Sequence, residues 1–290
     1  MATKTIEIDG LVTFWRLTNA TDYDVLRAEL EAIGLGEFIP EKATDYQALK
    51  NALVKVYGSQ RVLIRHLSKK KKSFSVVHEK VLIDPTSGEE YPDYKTSFIA
   101  YIADDEILFR YESGLPCYPP RMDSCEEQWQ SEMGKVPSEK LAKRLTDIVE
   151  YVQGIPLKSG KGGGGLYWLP ESNVPIWDAV KRAIAKGHPG NIIDGFDVAK
   201  NKKSLSAVSR ALVELVESRM TTVRTNLLKK DTGDRAKSTQ RGKAEELREL
   251  VEDYEDILGT TFDGLKSATE DLGDVETFAA FREMSEKFGE

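Results

Sequence analysis

Between Ser204 and Leu272 apolar residues recur every three or four positions, and that spacing admits little besides two long helices folded against each other. Leu205, Val208, Leu212, Val216, Met220, Val223 and Leu227 form the first series. Leu247, Leu250, Tyr254, Ile257, Leu265, Ala268 and Leu272 form the second. Each series lays an apolar seam along one side of a helix, and a seam needs a partner to leave water. The polar break Asp231-Thr232-Gly233-Asp234 predicts the turn between them. At 1.5 Å per residue the first arm, 204–230, reaches roughly 40 Å. A small core cannot cover that length, so part of the seam is expected to pair with the second arm or to meet another chain. Such a hairpin presents surface rather than performing chemistry.

The chain is long enough for one large domain or two ordinary ones, with 290 residues. Apolar residues make up 40% and charged residues 31%, a globular composition tilted toward charge. The net charge of −7 gives the whole molecule no electrostatic reason to seek nucleic acid or an anionic membrane. Cys117 and Cys125 are the only cysteines, too few for a disulfide framework, and a reducing cytoplasm fits best. The segment Met1 to Asp9 lacks the apolar stretch of a signal peptide, and no run approaches the ~18–20 apolar residues that span a bilayer.

The remainder reads as α+β. Ile6, Ile8, Leu11, Val12, Phe14, Trp15 and Leu17 predict a strand kinked near Gly10. A helix over 21–35 is stopped by Gly34 and Gly36. Thr44 and Gln47 match a capping box that opens a second helix ending at Gly58. From Arg61 to Tyr111 the runs Val62–Ile64, Phe74–Val77, Val81–Ile83, Phe98–Ile102 and Ile107–Tyr111 predict an antiparallel meander covered by those two helices. Its turns are Lys69 to Lys72, Pro85 to Gly88 and Asp104-Asp105. Residues 114–134 are proline-rich and read as irregular. Helices follow over 137–152 and from Asn173, strands over 166–169 and 191–198, and a closing helix over 276–288 carrying Phe278, Phe281, Met284 and Phe288. The expected organisation is an antiparallel α+β domain over 1–113, a central αβ segment with a Gly-rich loop over 114–200, and the hairpin with its closing helix over 201–290.

No motif here completes a mechanism. Lys158-Ser159-Gly160-Lys161-Gly162 suggests a phosphate loop, but Gly154 lies one residue too far from Gly160 and Gly162 stands where a magnesium-binding hydroxyl belongs. A helix precedes and a strand follows, the reverse of the required order, so a flexible glycine loop is the better reading. His66, His78 and His188 have no ligand at metal spacing, and no Cys–His pair is anchored for nucleophilic attack. Asp104-Asp105-Glu106 fits a hairpin turn better than a cation site, and Asp194-Gly195-Phe196-Asp197 is discounted in the same way. The aromatic run Leu166-Tyr167-Trp168-Leu169-Pro170, with Trp177, reads as core. No cofactor and no metal is expected.

Charge is segregated along the hairpin. Arg224, Lys229, Lys230, Arg235, Lys237, Arg241 and Lys243 surround its turn, whereas Glu245, Glu246, Glu249, Glu252, Asp253, Glu255 and Asp256 follow with only Arg248 among them. A solvated helix surface is the plain reading. The functional reading is a basic tip that finds an acidic partner or phosphates, with Lys69, Lys70, Lys71 and Lys72 as a second basic tip. Aromatic residues are absent from the hairpin tip, which disfavours stacking on single strands.

Gly164-Gly165-Leu166-Tyr167-Trp168-Leu169-Pro170 followed by the two-helix coiled coil, whose second arm runs from Arg241 to Gly259, resembles an uncharacterised family of phage, plasmid and mobile-element proteins. The resemblance covers 164–272. It implies a context inside a bacterial cell and carries no activity or site residue. The leading expectation is therefore a non-enzymatic binding or scaffold protein that oligomerises, or engages and inhibits a larger protein complex, through its hairpin. A counter-defence protein falls in that class. The alternative is a nucleic-acid accessory using its basic tips, and the third reading is an enzyme with a site between the glycine loop and the sheet.

Overall fold

The computed structural model describes residues 8–58, 62–111, 122–157, 165–227, 234–259, 261–263, 265–267 and 269. Its elements run β1 (Ile8–Arg16), β2 (Thr21–Asp22), α1 (Tyr23–Ala32), α2 (Asp45–Tyr57), β3 (Val62–Ser68), β4 (Ser73–Ile83), β5 (Glu90–Ala103), β6 (Glu106–Tyr111) and α3 (Met122–Met133). There follow β7 (Lys135–Val136), α4 (Ser138–Tyr151), β8 (Ile155–Pro156), β9 (Tyr167–Pro170), α5 (Val174–Gly187), β10 (Ile192–Ala199), α6 (Lys202–Leu227) and α7 (Asp234–Leu258). The class is α+β. The chain divides into two compact units: Met1–Arg16, Leu145–Arg182 and Ile192–Glu290 form one, and Leu17–Arg144 with Ala183–Asn191 forms the other. This division differs from three consecutive segments because β1 pairs with strands far along the chain rather than with the sheet that follows it.

In the first unit the sheet order is β10-β1-β9-β8, all antiparallel. The kink expected near Gly10 is a register shift against β10 between Ile8 and Gly10. Glycine is required there, since a Cβ would lie 2.2 Å from the Leu169 carbonyl oxygen and 2.8 Å from the Trp168 indole. Thr13 sits buried within the sheet, accepting from Trp177 Nε1 at 3.0 Å and donating to the Asp194 carbonyl at 2.9 Å. Trp15 stacks on Tyr167 at 4.8 Å. Trp168, Leu169, Pro170 and Trp177 are buried and Tyr167 is half-buried, whereas Leu166 is exposed, so the aromatic run is core only from Trp168 onward.

The hairpin belongs to this unit. Val208, Leu212, Val216, Met220, Val223 and Leu227 of α6 are all buried. On α7 the seam lies one position away from the expected one over part of its length. Ala244, Leu247, Val251, Tyr254 and Leu258 are buried, while Leu250 and Ile257 are only partly so. The seam is self-paired, and its cluster continues into Val12, Ile155 and Trp168, so the base of the hairpin packs on the sheet.

In the second unit the meander is a four-stranded sheet, β3-β4-β5-β6. The runs expected as separate strands at 74–77 and 81–83 are one strand, β4, carried past a bulge between Val76 and Val77. Asp104 and Asp105, at φ 52° and 59°, form the β5–β6 turn. Thr44 and Gln47 make the capping box at the start of α2. The covering helices are α2 and α3, not the first two. Leu49, Leu53, Cys125 and Trp129 cluster with Phe74, Val76, Phe98 and Ala100. The helix Met122–Met133 corrects the irregular reading of 114–134: three prolines precede it, but none lies within it. Its last turn carries Glu132, whose buried carboxylate accepts from Lys55 and Lys135 at 2.7 Å, Asn51 at 3.0 Å and Gln128 at 3.2 Å.

Candidate partner-binding surface

The chemical candidates do not converge. Among the described residues no group of three or more His, Cys, Asp or Glu side chains could hold a metal ion. Cys117 lies outside the described residues, and Cys125 is a buried thiol that burial pushes up to about 12, an unreactive state. His66 packs edge-on against Tyr46 at 5.6 Å. His188 Nδ1 accepts from the Gly190 N–H at 3.0 Å. Asp194 and Asp197 stand within strand β10. The glycine-loop residues 158–164 lie outside the described residues. Their flanks are β8 and β9, paired antiparallel, so the segment joins strand to strand instead of strand to helix. The closing helix expected over 276–288 likewise lies outside them.

The hairpin is the most distinctive surface. Helix α6 has 26 residues and α7 has 25. Near the turn, Arg224, Arg235, Arg241 and Lys243 are exposed and Lys237 is partly exposed; Lys229 and Lys230 lie outside the described residues. None of the described five takes part in an ion pair with another described residue, whereas Glu245, Glu252 and Glu255 of α7 do. Arg248 reaches Glu245 and Glu252. Glu255 binds Lys266 and accepts from the Phe262 N–H at 2.6 Å, and these hold its carboxyl below the usual range. Gln153 donates to Asp253 at 2.6 Å, and Arg219 pairs with Glu150 at 2.8 Å. Among the described residues the hairpin therefore presents unpaired positive charge at one end and only partly paired acid nearer its base.

The second helix, expected to carry its seam on to Leu272, ends at Leu258. Beyond the left-handed Gly259, residues 261–263 and 265–267 fold back along α6, with Phe262 and Leu265 packed on the hairpin core. Between this segment and α6 runs a groove of about 680 Å³, lined by Val213, Met220, Arg224, Phe262 and Leu265 among others. Gly259 as a helix-ending glycine was the available signal.

The second basic tip is a true β-turn between β3 and β4. Lys69, Lys70 and Lys71 are exposed there, but Lys72 is bound to Asp45 and is not a free cation.

The chain belongs to a family of unknown function, DUF6744, whose model matches residues 10–278. The match begins in β1 and runs past α7, so it takes in residues of both units. No curated protein and no solved structure matches the chain. Among the described residues no helix is long and apolar enough to cross a membrane.

Proposed function

We propose that this is a non-enzymatic binding protein whose helical hairpin engages an acidic surface on a larger protein complex. One observation carries the reading: the described cations near the hairpin turn have no carboxylate partner among the described residues, although acidic residues are abundant on the same helix. Charge left unpaired at the end of a rigid element steers association and specifies partners. A seam already filled by its own second arm leaves the polar faces, not the apolar ones, for contact. The segregated charge also makes two hairpins complementary when side by side and antiparallel, so self-association through the hairpin belongs to the same reading. The resemblance over 164–272 adds a phage or mobile-element context in a bacterial cytoplasm, where coating and inhibiting a host complex would use such an arm.

The nucleic-acid reading rests on the same cations, and one experiment separates the two. The chain and a variant carrying Arg235→Glu, Lys237→Glu, Arg241→Glu and Lys243→Glu are titrated with a fluorescent polyglutamate peptide and with single- and double-stranded DNA at ~50 mM salt. Peptide binding lost in the variant supports a protein partner. DNA binding that falls steeply with salt moves the function to nucleic acid. Binding of neither probe by the native chain removes the tip from the function.

A further inference from the structure

Strands β4 and β5 outrun their neighbours. Among the described residues β3 pairs with β4 as far as His78, and β6 pairs with β5 from Phe98 onward. Residues 79–83 and 90–94 continue as a two-stranded ribbon with no further described strand on either edge. Apolar side chains crowd this ribbon in the open. Val81 is 41% exposed, Leu82 39%, Ile83 63%, Tyr91 48% and Tyr94 44%. Exposed apolar surface on a free strand edge is what other strands pair with, and monomeric proteins normally block it.

Among the described residues one edge is blocked by a proline and the other is open. The Asp84 N–H donates to the Glu89 carbonyl at 2.9 Å, so that pair faces inward. Antiparallel alternation then turns Leu82–Tyr91 and Lys80–Asp93 inward, and Val81, Ile83 and Pro92 outward. Pro92 removes the outward donor from the β5 edge. The β4 edge keeps the N–H and C=O groups of Val81 and Ile83.

We propose that this β4 edge pairs antiparallel with the same edge of a second copy, about a two-fold axis at Leu82. The register is self-complementary at three successive positions. Leu82 meets the partner's Leu82, Val81 meets the partner's Ile83, and Lys80 meets the partner's Asp84. Both turn N–H groups that Asp84 accepts go to its Oδ1, which leaves Oδ2 for a cation. Neighbouring registers fail. An axis at Val81 sets Lys80 against leucine and Glu79 against isoleucine, and an axis at Lys80 opposes two ammonium groups. Pairing ends where the partner's Pro85, without an N–H, comes opposite Glu79. Two backbone hydrogen bonds form on each side of the axis, and so short an interface gives a weak, concentration-dependent dimer.

Sedimentation velocity on the full chain from low micromolar to ~200 µM tests this. The expected result is a mass rising from 32.5 kDa toward twice that value. Val81→Pro deletes an outward N–H without touching the ribbon's own bonds and is expected to weaken association at least about tenfold, with unchanged circular dichroism. Ile83→Lys does the same without altering the backbone. Lys80→Asp and Asp84→Lys each lose the dimer alone and regain it when mixed, as a heterodimer. A monomer throughout the range overturns the proposal. A dimer that survives both Val81→Pro and Ile83→Lys also overturns it. The charge-reversed hairpin variant is expected to keep this dimer, so loss of tip binding and loss of edge pairing are read separately.

Discussion

The rings of Trp168 and Tyr254 lie 6.0 Å apart, both buried, and the Tyr254 hydroxyl donates to the Gln153 carbonyl. These contacts hold α7 to the β8–β9 pair. Burial, with Asp253 adding to it, pushes the Tyr254 phenol above its ordinary range, so it stays protonated and able to donate. Gln153 sits at φ 56°, and a Cβ on the next residue, Gly154, would lie 2.5 Å from Val149 and 2.6 Å from Leu169. The tight turn and the phenol's acceptor are one feature.

Trp168→Ala is expected to cost about 3–5 kcal/mol by opening a cavity at the base of the hairpin. Tyr254→Phe keeps the ring and loses one hydrogen bond, about 1 kcal/mol. Urea denaturation measures both. Equal losses for the two variants would contradict a packing role for the indole.

Gly10→Ala is expected to destabilise by about 3 kcal/mol. Its new Cβ has backbone on one side, the Leu169 carbonyl oxygen, and a buried indole on the other, so neither neighbour can swing away. Thermal melting of the variant, with Gly242→Ala as a control at an open position, checks this. A midpoint unchanged from the native chain would show that β1 and β9 can separate freely.

Stability in acid is expected to depend on Glu132. Burial alone raises its carboxyl, but hydrogen bonds from Lys135, Lys55 and Asn51 outweigh burial and hold it below the usual range. A lowered folded value means the stabilisation is complete above the unfolded value, about 4.3, and is lost as the pH falls through the folded one. Glu132→Gln should lose about 2 kcal/mol at neutral pH, because Lys55 is half exposed and its end can return to water. The variant and the native chain should converge as the pH falls below the folded value. A stability difference that persists undiminished into acid would locate the acid sensitivity elsewhere.

Thr44→Ala should cost about 1 kcal/mol and Gln47→Ala less. Each closes half of one reciprocal pair, so the double variant is expected to cost less than the sum. Additive losses in chemical denaturation would mean the two bonds act independently.

Arg235→Glu with Arg241→Glu is expected to leave stability within about 0.5 kcal/mol. The two guanidinium groups are exposed and hold no ion pair among the described residues. A calorimetric midpoint that drops by several degrees would reveal a structural role for the tip.

Local signals were legible in the residues alone. The capping box, the Asp104-Asp105 turn, the helical spacing from Leu205 to Leu227 and the strand expected over 166–169, found at Tyr167–Pro170, each depend on neighbours within a few positions, and all appear in the fold. Helix α3 was hidden because its buried face, Cys125 and Trp129, is narrow and polar residues surround it. The basic charge around the hairpin turn was visible as composition. Its lack of partners was not, since an ion pair such as Arg219 with Glu150 joins residues far apart in the chain.

By itself the sequence determined the apolar seam of α6 and the antiparallel meander, because periodicity and spacing are properties of adjacent residues. Only the tertiary structure decided that β1 leaves the meander to join β9 and β10, that the foot of the hairpin is clamped to that second sheet, and that Lys72 is neutralised while Arg235 is not. Strand partners and ion pairs are chosen by which groups can satisfy one another across the folded chain, and that choice depends on all the competing partners at once.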